Sequence, residues 1–437
     1  MAVSETTLRR TLGPLQVTAG GVGIIIGAGI YVLIGEAAGE SGNALWLSFL
    51  VAAALCAVTG LSYAELASMF PTAGAEFDYT RRAFPEWVAF LVGWVMVVGL
   101  IVAAATVSLG FGRYAGEFID IDQRIPALCL IAALLALSAT GMRHSGRVIV
   151  ALSLIQVGGL VAVVLLAVPF AGDHSLTESR GAGGIVDAAA LVFFAFIGFD
   201  EVITLAEETH DPTRTIPRAL LGALAISALL YVATAIAAVS VLGADALAES
   251  DRPLADVVDA ATGGSGATAV ALAALISTTN TTLLALTSAS RLMFGMARED
   301  ALPRTFARVT HGTRVPILSL SVAAAFAGGI ALFGKLGLVA QVTDFSVYIV
   351  FVAVNLSVVV LRWRRPALAR PIKSPFAIGK MPILPILGLA SVGVLLPALD
   401  VEALMAGTGV CGAGLAAGLF LDSRSPVRRK LRWREVV

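Results

Sequence analysis

Charge is the scarcest ingredient of this 437-residue chain: Asp, Glu, Lys and Arg make up 14% of it, against 58% hydrophobic residues. A water-soluble domain carries roughly 25% charged residues, so the composition excludes an ordinary soluble protein and describes a polytopic membrane protein. The 30 basic and 30 acidic residues cancel, which leaves no electrostatic footprint for a nucleic-acid partner. Only three cysteines occur, Cys56, Cys129 and Cys411, each inside an apolar run. There a thiol reads as a small buried hydrophobe and not as a disulfide or metal ligand. The four histidines, His144, His174, His210 and His311, are scattered through loop-like segments. No C-x-x-C, H-E-x-x-H, Walker or G-x-S-x-G pattern is present. The expectation is therefore no cofactor, no metal centre and no enzymatic activity.

What the chain has in abundance is apolar runs. Twelve windows approach or exceed the roughly 20 residues that cross a bilayer, at about 15–38, 43–69, 86–112, 126–141, 146–169, 186–207, 217–242, 264–292, 315–333, 337–361, 382–400 and 402–421. The first follows Arg9 and Arg10 but is too long for a signal-peptide core and lacks a cleavage site, so it reads as a retained span. With the N-terminus placed in the cytoplasm, 25 of the 30 Lys and Arg residues fall in inner segments, as the positive-inside rule requires. An odd number of spans would spoil that bias. The expectation is an all-α protein of 12 transmembrane helices in the cell membrane, with residues 1–14 and the basic tail 422–437 both cytoplasmic. The tail, which ends in "RSPVRRKLRWREVV", suits anionic lipid.

Two spans are weak in their middles. The first contains "GVGIIIGAGIYVLIG", Gly21 to Gly35. Gly23 and Gly27 form a G-x-x-x-G pair that would let helices approach closely, or the glycines mark an unwound stretch. The sixth reads "DAAALVFFAFIGFDEVITLAEE", Asp187 to Glu208, and places Asp200 and Glu201 near mid-membrane, at a cost of about 2.5–3.5 kcal/mol per acid. A helix interrupted at Ile197, Gly198 and Phe199 would gain from Asp200 as the cap of its second half. Interrupted segments at matching places of two inverted halves point to a secondary transporter's binding site. Free N–H groups near Gly27, Ala28 and Gly29 suit a carboxylate. Orphaned carbonyls near Gly23, Ile24 and Ile25, and near Ala195, Phe196 and Ile197, suit an ammonium. Together these describe the backbone of an amino acid. Glycine here would let the ligand reach the peptide.

These residues resemble a known family. "GVGIIIGAGIYVLIG", "SYAELASMFPTAGAEFDYTRRAFP" from Ser62, "FFAFIGFDEVITLAEETHDPTRTIPRAL" from Phe193 and "SRLMFGMAREDALPRTFARV" from Ser290 are similar to segments of the amino acid–polyamine–organocation superfamily, in the style of prokaryotic relatives of the cationic amino acid transporters. The resemblance implies two inverted five-helix repeats, here 15–169 and 186–361, plus two extra helices at 382–421. It implies substrate carboxylate on the N–H groups of Ala28 and Gly29, and substrate ammonium on the carbonyls of Ile25, Phe194, Ala195 and Ile197, with Phe199 as an aromatic gate. Proton-coupled relatives carry a lysine in the fifth span where this chain has Gln156. Glutamine cannot titrate, which leaves coupling to H+ through another group, coupling to Na+, or exchange.

Thr281 and Thr282 could offer oxygen to a cation, although such hydroxyls more often bond back to their own helix. Glu65 reads as part of an inner gate with an arginine such as Arg291, and Glu207 and Glu208 as members of inner salt bridges. The segment Asp245 to Ala260 reads as an outer lid or surface helix. The side-chain pocket, around Val98 to Ala105, holds Ala, Val, Gly and Leu, with no buried acid evident beyond Asp200. Neutral, small or apolar amino acids are the expected substrates, and cationic amino acids or polyamines the alternative. A sensor or channel built on the same helices is a weaker reading.

Overall fold

Proline opens the first helix and glycine interrupts it, and this punctuation sets the architecture. In this computed structural model, residues 12–71, 75–116, 118–140, 146–264, 266–299, 301–310 and 315–423 are described. The basic tail from 424 onward and the side chains of Glu207 and Glu208 lie outside them. The described residues form fifteen α-helices joined by short 3-10 turns, with one two-residue β-hairpin. In chain order these are α1 (Pro14–Ile25), α2 (Gly29–Ser41), α3 (Leu45–Met69), α4 (Ala75–Ala83), α5 (Glu86–Ala115), α6 (Arg124–Ala139) and α7 (Gly146–Ala167). There follow α8 (Gly181–Val192), α9 (Pro212–Glu249), α10 (Pro253–Thr262), α11 (Ala267–Arg298), α12 (Ile317–Phe333), α13 (Leu336–Arg364), α14 (Ile383–Leu395) and α15 (Val401–Ser423).

Eight helical segments among the described residues are long and apolar enough to cross a membrane, and four shorter apolar helices accompany them. Large apolar side chains such as Leu154, Leu165, Leu229 and Phe326 are exposed. That is costly in water and neutral against lipid. The chain is a multi-pass membrane protein.

α9 packs on α1, α2, α3 and α7, while α5 packs on α11, α12, α13 and α15. Small and hydroxylated residues let these helices meet. Asn355 of α13 donates to Thr59 Oγ1 (3.1 Å) and accepts from Ser62 Oγ (2.6 Å), both on α3. Hydrogen bonds of this kind hold helices together where apolar burial cannot. The segment expected as a lid is helical: α9 bends at Gly243, which has a φ of 74°, and α10 follows after a short link.

Candidate functional site

The first interruption is short. α1 ends at Ile25, the chain turns through Ile26, Gly27 and Ala28, and α2 starts at Gly29. Gly27 N–H bonds Ile25 O (2.7 Å), a tight local turn that frees the carbonyls behind it from helical partners. The second interruption is longer. α8 gives way to a 3-10 turn over Phe193–Phe196; Ile197 is extended and Gly198 has a φ of 102°. Only glycine takes that backbone without strain. The chain then continues as a second 3-10 helix, Phe199–Glu208. Asp200 therefore does not cap an α-helix. The position before this segment belongs to Gly198, and no side-chain cap is made there.

The two interruptions touch. A Cβ added at Gly29 would fall 2.5 Å from Ala195 Cα, far inside contact distance. The glycine expected to admit a ligand is thus also demanded by the second break, which occupies that face. Gly27 meets Thr281 Oγ1 of α11 in the same way, at 2.8 Å, and Gly23 abuts Ser153 of α7. Both readings of the G-x-x-x-G pair hold together: the backbone unwinds beside close helix contacts. At the far end, Leu12 pairs with Thr209, and His210 N–H bonds Leu12 O (3.0 Å). The start of the first broken segment is thereby tied to the end of the second.

Side chains satisfy the freed backbone groups. Tyr231 of α9, which is fully buried, directs its hydroxyl at Ile25 O (2.7 Å) and Ala195 O (2.9 Å). One phenol thus spans a carbonyl from each break. Thr281 Oγ1 accepts the Ala28 N–H (3.2 Å). Thr278, Thr279 and Thr287 bond back to α11 as expected, but Thr281 does not. Thr282 Oγ1 is buried without a hydrogen-bond partner. Gln156 is fully buried; with its amide turned to match its neighbours, the nitrogen donates to Ile26 O (3.0 Å) and Gly23 O (3.3 Å). A neutral donor thus stands at the position where the family resemblance led to the expectation of a lysine. Nothing in the local sequence marks Tyr231 as a partner of residues 206 and 36 positions away.

Aromatic rings close the space beside the second break. Phe199 is buried edge-on against Tyr63 (5.3 Å between centroids) and Phe351 (5.5 Å). Phe193 meets Tyr348 and Phe351, and Phe196 meets Tyr231. Phe194, Ala195 and Phe196 are buried and Ile197 is half-buried. Below this cluster the Asp200 and Glu76 carboxyls interact directly. Glu76 lies on α4, between spans, and burial first and then the Asp200 charge push its carboxyl well above the usual range. Two adjacent carboxyls cannot both ionise cheaply.

Glu65 pairs elsewhere than expected. Its partners are Arg362 and Arg370, not Arg291. Arg362 Nε donates to Glu65 Oε1 (2.9 Å), Arg362 Nη2 bonds the other oxygen, and Arg370 approaches at 3.4 Å. Ser374 adds its N–H (2.9 Å) and hydroxyl (3.0 Å) to Glu65 Oε2. Arg291 instead acts on Glu201. The expectation of no further buried acid is also overturned: Asp344 of α13 is fully buried.

A bundle of apolar helices, two of them broken and abutting inside it, is the build of a membrane transporter and not of an enzyme. Residues 12–409 match the sequence model of the amino acid permease family, and the chain belongs to that family. It is 29% identical to the branched-chain amino acid permease BcaP of Bacillus subtilis, over 88% of this chain and 87% of that protein. It is 28% identical to the methylthioribose transporter of Bacillus subtilis, over 87% and 86% respectively. It is 30% identical to the vacuolar cationic amino acid transporter 4 of Arabidopsis thaliana, over 82% of this chain and 64% of that protein. The protein is thus an amino acid transporter of the amino acid–polyamine–organocation superfamily, embedded in a membrane.

Proposed function

We propose that the chain carries neutral, small or apolar amino acids across the cytoplasmic membrane by alternating access. It does so with 12 spans arranged as inverted repeats 15–169 and 186–361, both termini inside. The substrate carboxylate takes the N–H groups of Ala28 and Gly29. Its ammonium takes the carbonyls of Ile25, Phe194, Ala195 and Ile197, under Phe199. Tyr231 and Thr281 satisfy part of this set, and the substrate displaces them. The single observation behind the reading is that Tyr231 reaches Ile25 O and Ala195 O at once, which brings carbonyls of two distant broken segments within one ligand's span.

Gln156 supplies two N–H donors to the first break without titrating, so the driving force comes from elsewhere: from exchange, from Na+, or from H+ on another group. The Asp200–Glu76 pair is one candidate. Cationic amino acids are the second reading, favoured by the named Arabidopsis relative. A thermal-shift screen of all amino acids and common polyamines on purified protein tests the assignment. Stabilisation by leucine, valine or alanine supports it. Stabilisation by arginine or lysine alone moves the substrate to the cationic class, and no stabilisation by any of them sinks the proposed site.

A further inference from the structure

Asp344 has no part in the arrangement above, yet it is the least accommodated acid among the described residues. Its relative exposure is 0%. Neither carboxylate oxygen has a hydrogen-bond partner, and no cation pairs with it among the described residues. An ionised carboxylate in such a place has lost its water and gained nothing. An acid inside a membrane span that no structural partner explains is a functional group by default.

Its surroundings indicate how it is reached. Residues 337, 341, 344 and 348 share one face of α13 at the helical period. Gly337 and Gln341 line a cavity of about 290 Å³ whose other walls include Glu36, Glu40, Asp187 and Asp400, with no Lys or Arg among its lining residues. Asp344 lies one turn further along this face. One turn beyond it, Tyr348 closes the face against α8 by donating to Ala190 O (3.1 Å) and packing on Phe193 (4.8 Å). Gln341 is fixed by exchanging hydrogen bonds with Asp400, at 3.0 and 2.7 Å. The other elements packed on α13 bring few ionisable groups near Asp344. Cys56 of α3 and Tyr348 sense its charge. α5 carries its charges at its ends, Glu86 and Arg113, and α14 has none. On α15, Glu402 stands in the first turn, and α4 meets the opposite end of α13.

We propose that Asp344 is a proton-carrying carboxyl of the transport cycle. Water in the acid-lined cavity delivers a proton to one Oδ, the neutral acid is what the closed bundle buries, and the proton returns to water when the bundle reopens on the other side. A proton needs no room beside the side chain, whereas a bound amine would. Glu36 is paired with Arg113 (3.1 Å), and the remaining cavity carboxylates, Glu40, Asp187 and Asp400, raise the local concentration of cations, protons included. The inference rests on the transporter reading, and supplies the titratable group that Gln156 cannot.

The test uses the full chain in liposomes holding a pH-sensitive dye, with labelled leucine and labelled arginine as probes. Counterflow is measured first; if neither probe shows it, the transport reading itself fails and the inference falls with it. Given counterflow, an inward gradient of one pH unit should raise accumulation up to about tenfold for one proton per substrate, with dye-reported acidification. Asp344→Asn should bring accumulation back to its level without a gradient, and abolish the acidification, while counterflow persists. Gradient-driven accumulation in Asp344→Asn, or indifference of the unaltered protein to the gradient, overturns the proposal and leaves amino acid transport intact. Should Asp344→Asn fail to fold, Asp344→Glu decides: coupling kept with a displaced pH midpoint supports the role, and an unmoved midpoint rejects it.

Discussion

The two ends of the bundle are held by different physics. At the Glu65 end, one carboxylate with 1% side-chain exposure binds two arginines that are 5% and 10% exposed, and Ser374 completes its shell. At the Glu36 end, Arg113 meets Glu36 at 3.1 Å with 20% and 29% exposure, and an open cavity adjoins the pair. A buried ion network is expensive to part, because separation strands charges away from water. A half-wet pair separates and re-forms at little cost. In this conformation the Glu65 end is the more tightly bonded of the two and the Glu36 end the less.

Breaking the Glu65 network should give the largest effect. Glu65→Ala leaves Arg362 and Arg370 buried without a counter-ion, and a loss of about 3–5 kcal/mol is expected, read as a lower melting temperature in detergent. A drop under about 1 kcal/mol would show that water reaches the site and that the network is loose. Next comes the centre. Tyr231→Phe removes the shared donor from Ile25 O and Ala195 O, and should cost about 1–3 kcal/mol of stability in the empty protein. Added substrate should recover part of it. Unchanged stability, or no recovery, would separate Tyr231 from the binding site.

A smaller effect is expected at Glu76. Its carboxyl stays protonated when folded at pH values where the unfolded chain, near the ordinary 4.5, has released the proton. The folded state then binds more protons, so stability is greatest at low pH and falls as pH rises above about 4.5, by at most about 1.4 kcal/mol per pH unit. Glu76→Gln should flatten that slope in melting curves taken across pH, and an unaltered slope would place the titration elsewhere. The least effect belongs to Arg113→Ala. About 1 kcal/mol or less of stability is expected to go, with a change in transport rate as the more sensitive readout. A loss as large as that at Glu65 would erase the contrast between the two ends.

The interruptions were legible because each leaves a local mark: glycine at 23, 27, 29 and 198, and the twelve-residue uncharged run from Ala188 to Phe199 that stops short at Asp200. The groups that answer the broken backbone were not. Thr281 lies 253 residues from Ala28, and Tyr231 lies 206 from Ile25; contacts of that range impose no periodicity. The partner of Glu65 was ambiguous for a related reason. Several arginines near the ends of the spans compete for it, and Arg362 wins because α13 delivers it alongside α3 while Arg291 faces Glu201. Asp344 was readable, since it sits inside the apolar run 337–361. A hydropathy average over such a run hides one acid among many apolar neighbours.

The phenol at the crossing of the two broken helices carries one hydrogen for two acceptors. An ammonium carries three. On the proposed binding mode, an amine that displaces this hydroxyl brings two donors more than it, and gives them up on leaving. Swapping one occupant for another keeps every acceptor fed, while an empty return does not. On the proposed binding mode, trading substrates across the membrane is the easier half of the cycle.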